Sequence, residues 1–437
     1  MFKFEIQIHL WIRCYGKSFK NVNVEKEDCI KMKSALNSLF GVLQGILRNF
    51  SHMICLFGMV PNGFRSYYLN RSQPPMFGNM VRVLYDKLKS DEVLLEFLPA
   101  ALTELEFWRS RRSIKVRADD GSIYTMSRYF SSWQTPRPES WKEDVSSWRE
   151  YVDSRNGSED QVNIPADEME FYRHIAAAAE SGWDFSTRWL TSSNKLSSIR
   201  TTNILPADLN ALVMLAEMNA GHMAQLLGWH HDAERCFLEA RQRQNAIQSV
   251  LWDPYHDRWR DILVHPTDDG VYRAVGYSRD EQYASDWVPL WCGCAAPGSV
   301  QALAAIASLK ASPIYNFGVI AASSIRSGQQ WDWPNVWPPL QYFLAEGCGA
   351  FGGNEGRAMR QSIISNFLES AFEAWKKKGT LPEKLDCEKK GETGSGGEYD
   401  CVEGFGWTNG LALFWTHGVQ KTHEGYGHPL PWSTDLI

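Results

Sequence analysis

The stretch QWDWPNVWPPL, residues 330–340, sets three tryptophans and three prolines around one carboxylate, Asp332. Because proline fixes φ and has no amide hydrogen, the stretch is predicted to be a rigid loop rather than the interior of a helix. Such a loop can present flat aromatic faces, that of Trp331 among them, beside an acid. Apolar faces with a few polar groups are what a sugar ring needs from a binding site. The alternative is a tryptophan-rich loop inside the core.

Helical periodicity dominates on both sides of this loop, with apolar residues recurring at steps of three and four. The pattern predicts helices at 31–57, 79–88, 91–111, 166–181, 207–228, 232–252, 299–310, 337–348, 355–377 and 406–419. Short extended pieces are expected at 114–117 and 259–264. The connections are rich in Trp, Gly and Pro and carry the carboxylates. Helical hairpins joined by such loops, without strand alternation, predict an all-α fold of the α/α toroid type.

Composition excludes several classes of function. The chain has 437 residues, 44% of them hydrophobic, and a net charge of −6 without a long basic run, so nucleic acid is not an expected partner. No apolar run is long enough to span a bilayer, and the N-terminus has no signal-peptide pattern. The nine cysteines and the histidines have no metal-ligand spacing, and no cofactor-binding motif is present, so neither a metal nor a cofactor is expected. Sequons that begin at Asn49, Asn70 and Asn156 permit glycosylation.

Two short segments hold candidate catalytic carboxylates. In ESGWDFSTRW (180–189), Asp184 follows Gly182 and lies between two aromatic residues, an environment that raises the pKa of a carboxyl and suits a general acid. The alternative is an aspartate that caps a helix. In Pro382-Glu383-Lys384, the carboxylate beside a lysine could activate water as a general base. Its alternative is a surface ion pair.

Three further segments carry groups suited to hydroxyl recognition. PNGFRSYYLNRSQPP (61–75) and RPES (137–140) supply planar side chains whose paired donors and acceptors match vicinal hydroxyls. Each could also be an ordinary surface turn. In GGEYD (396–400), the paired glycines allow the backbone to approach a ligand closely, and Glu398 would project into the space they leave.

Five blocks of the sequence resemble blocks of the glycoside hydrolase family 37 trehalases, in the family's order and over about residues 40–420: 61–75, 137–140, 180–189, 330–339 and 396–410. The resemblance implies an (α/α)6 barrel that hydrolyses α,α-trehalose to two glucose molecules with inversion. It implies that Asp184 is the general acid and that Glu383 is the general base. It also implies that Asp332 shapes the site rather than acting as the acid. The resemblance and the aromatic loop together predict that the sugar site is formed by Asn62, Arg71, Ser72, Gln73, Arg137, Pro138, Glu139, Gly182, Glu398, Trp331 and Asp332.

The chain also departs from the family pattern. Residues 11–30 do not match the family's first signature, which supplies an arginine, a tryptophan and an aspartate to the site. Residues 1–34 are therefore expected to be an unmatched segment, and residues 35–437 a trehalase-like domain whose barrel is incomplete on its N-terminal side. An open pocket admits water and weakens the hydrogen bonds inside it. The alternative to an active trehalase is a catalytically impaired relative or fragment. The family and the sequons favour an extracellular location.

Overall fold

The computed structural model describes residues 26–155, 163, 165–191, 194–316, 318–397 and 400–419. Its helices are α1 Lys26–Phe57, α2 Phe77–Leu88, α3 Asp91–Arg111, α4 Trp141–Arg155, α5 Ala166–Ser181, α6 Ala207–Leu226, α7 His230–Ala246, α8 Val288–Trp291, α9 Val300–Ala311, α10 Pro338–Phe351, α11 Gly353–Lys378 and α12 Gly406–Val419. Several pairs of consecutive helices pack against each other, most extensively α6 with α7 and α10 with α11. The predicted helical hairpins are therefore present.

A small sheet accompanies the helices and was largely missed by the sequence interpretation. Its strands are β1 Ser113–Arg117, β2 Ile123–Ser127, β3 Ile204–Leu205, β6 Ile262–Pro266 and β7 Tyr272–Tyr277, in the order β2-β1-β7-β6-β3. Strands β1 and β7 run parallel, and the other neighbours run antiparallel. The remaining strands form two-stranded pairs: β4 Trp252–Asp253 with β5 Arg258–Trp259, β8 Tyr315–Asn316 with β9 Val319–Ile320, and β10 Asn335–Val336 with β11 Leu385–Asp386.

The sequence interpretation also missed helix α4, which none of the predicted helical ranges covers. This helix buries only Asp144, Trp148 and Tyr151, so its apolar stripe is too sparse to stand out as a period. The predicted extended piece at 114–117 lies within β1, whereas the piece at 259–264 is divided between β5 and β6. The short helix α8 was not predicted either, and the remaining helices lie close to the predicted ranges.

Local chemistry explains where the helices beside the functional loops begin and end. Helix α5 ends at Gly182, which has φ +78° and donates its amide to the carbonyl of Ala179 at 3.3 Å. Glycine accepts this left-handed conformation without a Cβ clash. Helix α10 begins with Pro338 and Pro339, where the missing amide hydrogens cost no intrahelical hydrogen bond. The tryptophan-rich stretch therefore ends in the first turn of α10, as its prolines predict.

A buried cluster of three charged residues joins helix α6 to the sheet. Arg188, with 1% of its side chain exposed, donates to both oxygens of Asp208 at 2.6 and 2.9 Å and to both oxygens of Asp261 at 2.7 and 3.1 Å. Its guanidinium also lies over the rings of Trp183 and Trp189. Burial acts to lower the pKa of Arg188, but the two carboxylates raise it well above its ordinary value. The cluster therefore anchors the end of segment 184–189.

Replacing Arg188 with methionine is expected to destabilise the chain by about 3–5 kcal/mol, because two carboxylates would remain buried without their cation. The matched control is Arg117→Met, which removes the exposed ion pair with Asp269 and should cost at most about 1 kcal/mol. Urea unfolding of the two variants and the parent chain measures both changes. Equal free energies of unfolding for the two variants would contradict the anchoring role.

Candidate active site

The segment that carries Asp184 leaves the end of α5 and is flanked by buried aromatic rings. Trp183 and Phe185 are buried, whereas Asp184 between them is half-buried. The short helix Thr187–Trp189 is capped by Ser186, whose hydroxyl accepts a hydrogen bond from the amide of Arg188 at 3.1 Å. Asp184 is therefore not a helix cap, and the alternative interpretation of this residue does not apply.

The tryptophan-rich stretch holds this segment in place. The amide of Trp331 donates to the carbonyl of Phe185 at 3.0 Å, and the side-chain amide of Gln330 donates to the carbonyl of Asp184. Asp332 accepts hydrogen bonds from the hydroxyl of Ser186 at 2.8 Å and from the amide of Thr187 at 2.9 Å. The chain from Asp184 to Thr187 is thus fixed to residues 330–332.

Asp332 itself is completely buried and has no exposed oxygen for a ligand. Besides its partners in 186–187, it accepts from the hydroxyls of Ser323, at 2.9 Å, and Ser327. A buried carboxylate needs such donors because its charge is otherwise strongly disfavoured. Asp332 therefore holds three segments together, in keeping with the expected site-shaping role, and it does not lie where it could contact a sugar.

The expectation that Trp331 presents a flat face to a sugar is wrong. Its side chain is 1% exposed and lies between the stacked rings of Trp183, with centroids 4.9 Å apart, and Trp337, with centroids 4.0 Å apart. For Trp331 and Trp337, the core-loop alternative describes the structure, whereas Trp333 is half-buried. Composition alone identified the aromatic loop but could not show which of its faces are covered.

The segment that carries Glu383 also contacts the tryptophan-rich stretch. Strand β10 pairs with β11, so that Asn335 lies opposite Asp386 and Val336 opposite Leu385. Glu383 is 4% exposed; its amide donates to the carbonyl of Val402 at 2.8 Å, and its carbonyl accepts from the indole of Trp407 at 2.7 Å. Burial of this residue excludes the surface ion pair considered above.

Lys384, the next residue, is 1% exposed, so its ammonium must be compensated within the protein. It donates to the side-chain oxygen of Gln330 at 3.3 Å and to the carbonyl of Gly396 at 3.1 Å. It also lies 5.0 Å from the centre of the Trp337 ring. The segments that carry Glu383 and Asp184 therefore both contact residue 330.

The polar block 61–75 meets the end of α5 and the RPES turn. Arg71, 1% exposed, donates to the side-chain oxygen of Asn62 at 3.2 Å and forms an ion pair with Glu139. The side-chain amide of Asn62 donates to the carbonyl of Ala179 at 3.1 Å. Burial lowers the pKa of Arg71, although Glu139 acts in the opposite direction. The structure thus brings together three of the expected sugar-binding residues beside Gly182.

Two buried polar atoms in this block make no hydrogen bond to any described residue. They are one terminal nitrogen of Arg71 and the side-chain oxygen of Gln73, which is 5% exposed. Buried polar groups in folded proteins are nearly always hydrogen-bonded, so a donor and an acceptor of this kind indicate a polar ligand or ordered water. These side chains are not part of an ordinary surface turn.

Arg137 lies beside the segment that carries Asp184, whereas Glu139 pairs with Arg71. Arg137, 3% exposed, forms a two-pronged ion pair with Asp144 of helix α4, with a shortest distance of 2.7 Å, and its guanidinium lies 5.0 Å from the centre of the Phe185 ring. Pro138 between them is exposed and begins the short helix Pro138–Ser140. Helix α4 therefore orients Arg137, a role that the sequence interpretation did not foresee.

Glu180 is a second residue that sequence reasoning missed, although it opens the block 180–189. It is completely buried and accepts from the amide and the hydroxyl of Ser72, at 2.8 and 2.9 Å, from Arg112 at 2.6 Å, and from the amide of Phe130 at 2.8 Å. The hydroxyl of Ser72 is thus engaged within the protein. An acid at the end of an otherwise apolar helical face was the available sequence signal.

Gly396 and Gly397, which were expected to let the backbone approach a ligand, instead lie against other residues of the protein. Gly396 and Gly397 have φ of +80° and +93°, and an added Cβ would lie 2.4 Å from the carbonyl oxygen of Gly328 and 2.9 Å from the side chain of Gln330, respectively. Glycine is required at both positions because the tryptophan-rich stretch passes so close. Glu398 lies outside the described residues, so its expected place in the site stays a prediction.

The arrangement offers two carboxyl groups on separate, firmly held segments and a neighbouring set of planar polar side chains. Among the described residues, no three His, Cys, Asp or Glu side chains are grouped to hold a metal ion. Within those ranges, too, no helix has the length and apolar character needed to cross a membrane. The groups at hand suit acid–base chemistry on a polar, hydroxyl-bearing molecule.

Comparison with known proteins gives consistent results. Residues 35–419 match the family model described as Trehalase. A probable trehalase of rice is 33% identical over 91% of this chain, a trehalase of Arabidopsis thaliana 32% over 90%, and a periplasmic trehalase of Salmonella newport 35% over 84%. The aligned regions span 70%, 60% and 61% of these relatives, respectively, so the relatives are considerably longer.

The fold is that of a solved relative. The neutral trehalase of Saccharomyces cerevisiae superposes with a TM-score of 0.69 at 20% identity and covers 98% of this chain and 73% of its own. The expected (α/α)6 fold is thereby confirmed, with a small sheet added to the helices. The family match over residues 35–419, together with the relatives above 30% identity, establishes that this chain belongs to the trehalase family.

Proposed function

We propose that this chain hydrolyses α,α-trehalose to two glucose molecules with inversion at the attacked carbon. The observation that carries the proposal is the convergence of the Asp184 and Glu383 segments on residues 330–337, beside the polar block around Arg71. The rice and Arabidopsis thaliana relatives are named probable trehalase and trehalase, and this chain belongs to the same family. The proposed catalytic domain is residues 35–437, preceded by the unmatched segment 1–34.

In the proposed reaction, Asp184 is the general acid and Glu383 the general base. Glu383 takes a proton from a water molecule, whose oxygen forms a bond to one anomeric carbon from the face opposite the leaving sugar. The bond from that carbon to the bridging oxygen breaks, and Asp184 donates its proton to that oxygen. An inverting enzyme keeps its two carboxyl groups roughly 6.5–9.5 Å apart to leave room for the water. We expect that separation between Asp184 and Glu383.

Sugar binding is assigned to the polar groups around the acid. Arg71 and Gln73 have buried polar atoms available for hydroxyls, and Asn62, Arg137 and Glu139 lie beside them or beside the acid. The proposed contributions of Ser72, Pro138 and Gly182 are to shape the backbone at this wall, and Glu398 completes the proposed set. Trp331 and Asp332 support the site from within the protein.

Asp184→Asn and Glu383→Gln should each lower kcat for trehalose by about 10²–10⁴-fold, the usual contribution of a positioned acid or base. Glucose release from purified protein measures the effect. The matched controls are Asp269→Asn and Glu355→Gln, whose side chains are 54% and 67% exposed and lie in surface ion pairs; they should keep the parent rate. If the parent chain released no more glucose than Asp184→Asn, the impaired-relative alternative would replace this proposal.

The stereochemical outcome provides a separate test. Inversion of one of the two α linkages of trehalose yields one β-glucose and one α-glucose. Proton NMR of the anomeric signals, recorded before mutarotation equilibrates them, should show the two anomers in equal amounts. A product that is initially all α-glucose would indicate retention and would exclude the assigned roles of Asp184 and Glu383.

We also propose that the chain acts outside the cytoplasm. The Salmonella relative is named a periplasmic trehalase, and the sequon residue Asn49 lies exposed on α1. Asn70, by contrast, donates to the carbonyl of Tyr67 at 2.6 Å beside buried Arg71. In a eukaryotic secretory host, Asn49→Gln should remove the mass of one glycan, as measured by mass spectrometry. An unchanged mass would remove the support that this sequon gives to the proposal.

A further inference from the structure

We propose that Gln330 is a positioning residue that sets the placement of the two catalytic segments relative to each other. The proposal rests on the function proposed above, which assigns the acid to Asp184 and the base to Glu383. The side-chain amide of Gln330 donates to the carbonyl of Asp184, and its oxygen accepts from Lys384, the neighbour of Glu383, at 3.3 Å. One side chain thus contacts both segments directly.

Position 330 requires a side chain that can both donate and accept a hydrogen bond. A glutamine side chain carries both a donor and an acceptor, whereas a carboxylate only accepts and a thioether makes no strong hydrogen bond. Here the donor faces a backbone carbonyl and the acceptor faces a buried ammonium. Gln330 is 9% exposed, and its own carbonyl accepts from the indole of Trp337 at 2.9 Å, so its backbone is also held.

The fold reserves space for this side chain. A Cβ at Gly397 would lie 2.9 Å from Cβ, Cδ and Oε1 of Gln330, a distance that side chains do not tolerate. Gly397 also has φ +93°, a conformation that favours glycine. The backbone at 396–397 therefore closes over Gln330 and limits the positions that its amide can take.

In the proposed mechanism, the attacking water occupies the gap between the carboxyl groups of Asp184 and Glu383. The gap depends on how far the acid-bearing and base-bearing segments lie apart, and small misplacements of catalytic groups cost large factors in rate. Other contacts fix each segment to the protein, including the hydrogen bond from Trp331 to Phe185 and the pairing of β10 with β11. Loss of the Gln330 amide should therefore change the placement of the carboxyl groups without unfolding the chain.

The first test compares two substrates for Gln330→Met. With trehalose, kcat should fall about tenfold or more while KM changes less than about twofold. With α-D-glucosyl fluoride, the fall should be clearly smaller, because fluoride leaves without full protonation and depends less on Asp184. Equal losses on the two substrates, or an unchanged kcat for trehalose, would overturn the proposal.

Gln330→Glu gives a second signature. An ionised glutamate cannot donate to the carbonyl of Asp184, whereas a protonated glutamate can. Activity of this variant relative to the parent should therefore rise as pH falls, and Gln330→Met should show no such rise. A constant ratio of variant to parent activity across the pH range would contradict the role of the donor.

The matched control is Gln341→Met on helix α10. Gln341 is completely buried and, like Gln330, uses both ends of its amide: it accepts from the amide of Ile320 at 2.9 Å and donates to the carbonyl of Ile320 at 2.6 Å. It contacts neither catalytic segment through these bonds. This variant should lower the melting temperature and reduce activity on the two substrates equally, as a purely structural change would.

A crystallographic readout separates this proposal from the function on which it rests. The distance between the carboxyl carbons of Asp184 and Glu383 should differ by more than about 0.5 Å between the parent chain and Gln330→Met. This measurement needs no activity. An inactive parent would refute the proposed hydrolysis, whereas an unchanged distance would refute the positioning role.

Discussion

Asp332 carries a carboxylate in a place that solvent does not reach, and the surrounding chain must therefore supply its hydrogen bonds. The donors come from residues 186–187, 323 and 327. Loss of any one of these segments from its position would leave part of a buried charge uncompensated. This requirement makes the tryptophan-rich stretch, the acid-bearing segment and the loop before the stretch a single rigid assembly.

Buried charged side chains also join separate segments elsewhere around the site. Glu180 draws residue 72, residue 112 and residue 130 around one buried carboxylate, and Arg188 joins the end of the acid-bearing segment to Asp208 and Asp261. Long loops are ordinarily the more mobile parts of a protein. In this protein, the backbone of the functional loops is held by hydrogen bonds to buried charged side chains. A site built on these loops is therefore held as firmly as one built on helices.

The sequence revealed the parts of the site whose chemistry is local. Prolines and glycines located the loops, helical periods located most of the helices, and the family resemblance predicted Asp184, Glu383 and the polar residues around Arg71 as site residues. It could not reveal Glu180 or Gln330 as organising residues, because their partners lie far away along the chain. It missed Asp144 because helix α4, which carries that residue, was not predicted. The sequence analysis wrongly predicted an exposed face for Trp331, because the sequence of a loop does not show which faces of a tryptophan are covered by other residues. Strand β7 was missed because its residues are largely exposed and bear no continuous apolar pattern.

The hydrogen bond between Ser186 and Asp332 joins residues 146 positions apart. Closing so large a loop carries an entropic cost, and contacts between such distant residues are therefore expected to form slowly during folding. The buried carboxylate thus ties the completion of the site to the completion of the fold. A partly folded chain could contain every helix and still lack a working pocket, so that catalytic turnover reports on the last stage of folding rather than on helix content.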